Sequence, residues 1–144
     1  MTFPEDKMNE LSIDCVIFGF EDQHLKILLY QRAIEPETNQ WALPGGFINR
    51  NEDLDHAAAR ILNEITGVDN IYMEQINAFG AVDRYPLERV ITIGFYALIN
   101  PGNYNIVPGT GAKEARWFTI DSMPNLVFDH AQIYSYALDK LRKK

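Results

Sequence analysis

Residues able to do chemistry together are concentrated between Trp41 and Val68, in the stretch W-A-L-P-G-G-F-I-N-R-N-E-D-L-D-H-A-A-A-R-I-L-N-E-I-T-G-V. The pattern predicts a short strand, a Gly45-Gly46 turn, a second short strand and a helix over about 53–66. Glu52 and Asp53 suit the positive end of that helix, and Gly67 suits the left-handed residue that closes it. At about 100° per residue, positions 61, 64 and 65 project from one side. Glu64 is the one carboxylate of that side, between Ile61 and Ile65. With Leu54, Ala57, Ala58 and Leu62 they form a nearly continuous apolar arc, as on a helix packed against a core. Glu52 and Glu64 could still hold one Mg²⁺ weakly, because Mg²⁺ binds one or two carboxylates and takes its remaining oxygens from water and substrate phosphate.

These residues need a frame. Leu11 to Phe20 alternates around Ile13, Cys15 and Ile17 and predicts a strand. Glu21 to His24 predicts a hairpin turn, and Leu25 to Arg32 its antiparallel partner. Ala33 to Gln40, with Pro36, is a loop. Asn70 to Phe79 predicts a strand, Gly80 to Glu88 a loop, and Arg89 to Ile99 the strongest strand of the chain. Asn100 to Lys113 carries two prolines and three glycines and must be a long loop before a strand over Glu114 to Ile120. The last helix has a start signal: Asp129 to cap it, Gln132 three residues on, and Phe128 to staple against Ile133. Ile133, Ala137, Leu138 and Leu141 form its apolar stripe. The order of elements predicts an α/β fold: an α/β/α sandwich with a mixed sheet between two helices.

Bulk composition narrows the function. At 144 residues, 47% hydrophobic and 23% charged, residues 1–144 are expected to form one globular domain. No apolar run approaches the ~20 residues of a membrane span, and the start M-T-F-P-E-D-K-M-N-E has no signal-peptide pattern. The single Cys15 reads as a buried thiol in a reducing, cytoplasmic setting. A net charge of −7 and a pI near 4.9 argue against a nucleic-acid surface. The basic tail Lys140, Arg142, Lys143 and Lys144 reads as favourable charge at a helix C-terminus.

The stretch from Gly46 to Val68 resembles the Nudix box, G-x5-E-x7-R-E-U-x-E-E-x-G-U, where U is a bulky aliphatic residue. Gly46, Glu52, Arg60, Leu62, Glu64, Gly67 and Val68 match it, whereas Ile61 and Ile65 stand where the family carries its other two helix carboxylates. Three further stretches extend the resemblance from about Ile13 to Leu141. Q-W-A-L-P-G-G-F is similar to the approach to the box in ADP-ribose-type enzymes. F-G-A-V-D-R-Y-P-L-E-R-V and L-V-F-D-H are similar to segments of those enzymes and of the Nudix-related transcriptional regulators. The resemblance implies the same α/β/α sandwich, with Arg60 bridging the box loop and orienting Glu52. In an active member the metal would bridge the diphosphate and help generate the attacking hydroxide. The regulators use a degenerate Nudix domain as a sensor of ADP-ribose or, in one group, of pentoses. They join it to a winged-helix region for which this chain has no room, so DNA binding by this chain alone is not expected. A homodimer is implied by resemblance only.

For a diphosphate ligand the candidate cations are Arg32, Arg84 and Arg89, each with a surface salt bridge as its plainer alternative. Gly45 and Gly46 let backbone approach a ligand, and Phe128 and Asp129 join the ligand-binding set through the C-terminal signature. Trp41, Phe47, Tyr72, Phe79 and Tyr85 could stack on a base, and Glu88 or Glu114 could supply a missing catalytic base. Three functions follow. The first is a sensor-like binding domain for an ADP-ribose-like nucleoside diphosphate sugar, or a related sugar, with hydrolysis weak or lost. The second is an active Mg²⁺-dependent pyrophosphatase using Glu52, Glu64 and a loop carboxylate, with Arg60 in its catalytic set. The third is an interaction subunit that uses the fold as structure. Loss of two carboxylates favours the first.

Overall fold

The structure, a computed structural model, describes residues 7–144. The first six residues, the larger part of the start that shows no signal-peptide pattern, lie outside the described residues. The elements in chain order are β1 (Lys7–Glu21), β2 (His24–Arg32), β3 (Trp41–Ala42), β4 (Gly45–Asn49), α1 (Leu54–Thr66), β5 (Glu74–Phe79), β6 (Ile91–Ile99), β7 (Ala112–Thr119) and α2 (His130–Arg142).

The long strand β1 organises the sheet. It runs parallel to β6 over Leu11–Gly19, antiparallel to β4 through Lys7–Asp14, and antiparallel to β2 through Phe18–Glu21. Since β6 fills one edge of β1, β2 and β4 must share the other, one at each end. They part between Asp14 and Phe18, and the gap between them opens a cleft. The sheet order is β3-β2-β1-β6-β5, with β4 added on β1 and β7 on β2.

Side-chain alternation along β1 sorts the core into two layers. Ile13, Cys15 and Ile17 pack with Ala57, Ala58, Ile61 and Leu62 of α1. Val16 and Phe18 pack on the other face with Ile133 and Ala137 of α2. The fold is therefore the expected sandwich. Each fully buried Ile, Leu or Phe contributes roughly 1.5–3 kcal/mol, so both helices are held by their apolar stripes.

Four expectations are corrected. Gly45 and Gly46 do not form a turn: they begin β4, and neither has a positive φ. Their small size is needed for close packing, since a Cβ on Gly45 would overlap Asp14 Oδ1. The strand expected from Asn70 starts only at Glu74, because Asn70 turns the chain at φ 56° and Ile71 and Met73 fold onto the α1 layer. Asp129 precedes α2 but makes no side-chain cap. Phe128 joins the α1-side cluster while Ile133 lies in the α2-side cluster, so no staple forms.

The C-terminus of α1 is closed twice. Gly67, at φ 81°, donates its N–H to Asn63 O. The loop before β7 then supplies Val107, Gly109 and Thr110 N–H groups to the carbonyls of Thr66, Ile65 and Glu64 at 2.8, 3.0 and 3.0 Å. Orphan helix carbonyls are thus satisfied by a distant segment. Gly109 is required there, because a Cβ would overlap the Glu64 carbonyl oxygen. Gly109→Ala should cost roughly 1–3 kcal/mol in urea unfolding. Gly102→Ala, where a Cβ meets nothing closer than 3.5 Å, should change stability by less than about 0.5 kcal/mol. Equal midpoints for the two variants would refute this account of the helix end.

Candidate functional site

The cleft between β2 and β4 holds a cavity of about 440 Å³. Ser12 and Asp14 of β1, Tyr30 and Arg32 of β2, Gly45 to Phe47, and Arg60, Ile61, Glu64 and Ile65 of α1 line it, together with His130 at the start of α2 and loop residues that include Arg84, Tyr85, Thr110 and Phe128.

On the α1 wall, one guanidinium gathers the chemistry. Arg60 Nε donates to Glu52 Oε2 at 2.6 Å and Nη2 to Glu52 Oε1 at 2.8 Å, a two-pronged carboxylate grip. Nη2 also donates to the Phe47 carbonyl at 2.9 Å, and Nη1 to Glu64 Oε1 at 2.9 Å. The Asn49 N–H adds a third bond to Glu52 at 3.1 Å. These bonds, led by that from Arg60, hold the Glu52 carboxyl below its ordinary pKa, and the same pairing raises that of Arg60. Ile61 and Ile65 are 2% and 7% exposed. Gly46 sits close over Ile61, whose side chain begins 3.4 Å from where a Cβ would be.

The cavity floor is a buried ionic cluster. Arg84 grips Asp129 with two bonds of 2.8 Å, donates to Val90 O at 3.3 Å and lies 3.5 Å from Asp14 Oδ2. Thr92 donates its hydroxyl to Asp14 Oδ2 at 2.8 Å. His130 Nδ1 accepts the Leu43 N–H at 3.0 Å, so Nε2 carries the proton toward Asp14 Oδ1 at 3.3 Å. Burial pushes the His130 pKa down, which favours this neutral tautomer. Asp129 fails to cap α2 because its carboxylate is taken by Arg84.

Arg32 lies at the other side of the cavity. It donates to Pro36 O at 2.8 Å, Tyr30 Oη at 3.3 Å and Glu35 O at 3.5 Å, and sits 5.4 Å from the Phe128 ring centre. Phe128 is held at φ 52° and packs against Tyr85 with ring centres 5.1 Å apart.

A profile described as the NUDIX domain matches residues 8–138. The chain belongs to the Nudix family. It is 34% identical over 138 residues to the ADPR responsive transcriptional repressor NtrR of Acinetobacter baylyi, covering 93% of this chain and 55% of that protein. It is 34% identical over 115 residues to an ADP-ribose pyrophosphatase of Methanocaldococcus jannaschii, covering 80% of this chain and 67% of that protein. Among solved structures, the NUDIX domain of Shewanella oneidensis NrtR complexed with ADP ribose has a TM-score of 0.82 at 33% identity, over 91% of this chain and 87% of that one. The chain therefore spans about half the length of the Acinetobacter repressor.

Set in the Nudix frame, several expected roles shift. Arg84 lines the cavity but its charge is spent on Asp129 and Asp14. Arg89 is exposed and does not line the cavity, and Asp129 lies outside its lining as the partner of Arg84. Glu88 and Glu114 are exposed and outside it too, Glu114 pairing with Arg116 at 3.2 Å, so neither is placed as a base. Of the five stacking candidates, Phe47 and Tyr85 line the cavity. Trp41 packs on Phe118 and Phe79 on Tyr136, and Tyr72 is 81% exposed. Residues missed from sequence are Asp14 and Thr92. An aspartate in the apolar run S-I-D-C-V-I-F was the available signal.

The donor set does not fit a Mg²⁺ ion held by Glu52 and Glu64. Both oxygens of Glu52 are taken by Arg60, and Glu52 is absent from the cavity lining. One oxygen of Glu64 is also bound to Arg60, which leaves its Oε2 on the helix face. Among the described residues no cluster of three His, Cys, Asp or Glu is arranged to hold a metal, and no helix is long and apolar enough to cross a membrane.

Two predictions follow. Arg60→Ala leaves Glu52, 12% exposed, without its partner, and should cost about 2 kcal/mol. A silent substitution in chemical unfolding would show that the grip does not support the loop. For His130 the native pKa is lowered from 6.5, so below that pH the unfolded chain binds a proton that the native chain resists. Stability should be full above 6.5 and decline as pH falls toward the native pKa. His130→Gln should be less stable at neutral pH but show a smaller loss as the pH falls below 6.5. Parallel pH profiles for the two proteins would rule out His130 as the source.

Proposed function

We propose that this Nudix domain is a sensor-like binding module for an ADP-ribose-like nucleoside diphosphate sugar or related sugar, with diphosphate hydrolysis weak or lost. The observation that carries the reading is the α1 face that lines the cavity. There Ile61 and Ile65 are buried on either side of Glu64, and Arg60 draws both remaining box carboxylates to itself. A metal-bridged diphosphate needs several oxygens converging at that place. The cavity volume, about 440 Å³, falls in the range of small-molecule sites. An ADPR-responsive repressor and a domain complexed with ADP ribose among the relatives support the choice of ligand. The acidic balance of the chain, −7, favours a small-molecule partner over nucleic acid for these residues.

Thermal melting with ADP-ribose, with and without Mg²⁺, tests the reading. A ligand present at about 100 times its Kd should add about 2.7 kcal/mol of stability. The wild type should respond to ADP-ribose without requiring Mg²⁺ and should release little product. Ile61→Glu with Ile65→Glu should lower the melting temperature, because charge is placed against apolar surface, and Mg²⁺ should recover part of the loss. Robust wild-type turnover abolished by Glu64→Gln would instead support the active pyrophosphatase.

A further inference from the structure

The cavity's cations are not equivalent. Arg60 is balanced by Glu52 and Glu64, and Arg84 by Asp129 and Asp14. Lys7, also in the lining, stands near enough to Glu52 to lower its pKa. Arg32 alone among the lining arginines donates only to neutral acceptors: two loop carbonyls and a tyrosine hydroxyl. Glu35 shares the cavity, but its Oε1 accepts from Thr38, and among the described residues no carboxylate forms an ion pair with Arg32. An arginine has five N–H donors, and three of Arg32's are engaged, so two are left on the fork. Its carbonyl partners fix its position without cancelling its charge. Beneath it, Phe128 holds an uncommon positive φ of 52° and is braced by Tyr85. Strained residues of this kind persist where surroundings over-determine them, as at ligand clamps. In a chain of net charge −7, a preset guanidinium inside a cavity, with no ion pair among the described residues, is suited to an anion.

We infer that Arg32, backed by Phe128, is the anchor for the phosphate oxygens of the ligand, while Arg84 is a structural cation of the floor. This deepens the ligand reading given above and rests on it for the rest of the ligand. The two free N–H groups would meet phosphate oxygens, and the ring would support the guanidinium plane.

The test uses inorganic pyrophosphate and ADP-ribose, each titrated by calorimetry into the wild type, Arg32→Gln, Arg32→Lys and Arg89→Gln. Wild type should bind pyrophosphate, more weakly as salt rises. Arg32→Gln should lose roughly tenfold to a hundredfold in affinity, the effect of removing hydrogen bonds to a charged group. Arg89→Gln, outside the cavity, should bind like wild type. Arg32→Lys should fall between wild type and Gln, because it keeps the charge and loses the fork. If Arg32 served only to order the loop, Lys and Gln would be equally impaired, and the assignment would fall. It falls also if Arg32→Gln binds pyrophosphate like wild type, or if wild type does not bind it. Pyrophosphate binding without any response to ADP-ribose would overturn the proposed ligand and leave the anchor standing. ADP-ribose binding that Arg32→Gln leaves unchanged would keep the ligand and remove the anchor.

Discussion

A single guanidinium, that of Arg60, ties the pieces of the box to one another. It reaches back eight positions to Glu52 in the loop, thirteen to the Phe47 carbonyl on β4, and forward one turn to Glu64. Arginine suits this place because its planar fork can serve several acceptors in fixed directions, which a lysine ammonium cannot do. The loop 50–53 has few apolar side chains of its own. Its path between strand and helix therefore depends on this bonding and on the Asn49–Glu52 contacts. The arrangement is made entirely of protein donors and acceptors.

The second constraint is the burial of charge near Asp14. Taking Asp14, Asp129 and Arg84 out of water is costly unless each finds partners. Two carboxylates share one arginine, and the excess negative charge is met by the Thr92 hydroxyl and the neutral His130 N–H. The cluster joins the central strand, the loop before β6 and the start of α2. It supplies polar lining to a cavity that is also lined by the apolar Ile61 and Ile65 beside Arg60 and Glu64. A ligand there would therefore meet both hydrogen-bonding and apolar surface.

Periodicity was enough to find both helices and most strands, because each carries one apolar face and those faces decide the layers. The hairpin at Asp22 and Gln23 was placed by its polar residues, and both adopt a positive φ there. What periodicity could not resolve was competition between partners. Asp129 has the type and place of an N-cap, yet Arg84, forty-five residues away, offers two charged bonds where a cap offers a backbone N–H. Arg84 and Arg32 look alike in sequence, and only the fold distinguishes a cation neutralised by carboxylates from one that, among the described residues, is held by neutral acceptors. Asp14 was passed over because a strand pattern tolerates one polar residue, and its partners come from β6, α2 and the loop before β6.

The glycines bear on how motif retention should be interpreted. Gly45 leaves room for the Asp14 carboxylate, and Gly46 lies against Ile61. Neither has the left-handed backbone that a glycine turn would require. Arg60 and Glu52 are occupied with the loop, and Gly67 with the helix end. Each matched position of the box thus has a demonstrable task in packing or bonding, Glu64 as an acceptor of Arg60 and Leu62 and Val68 in the core, independent of any phosphate chemistry. Ile61 and Ile65, at the two positions that depart from the box, are themselves buried in the core. Folding constraints alone are sufficient to hold the pattern G…E…R…E…G in place. The chemistry of such a domain must therefore be judged from the helix face that the pattern frames, and here that face presents one carboxylate between two apolar side chains.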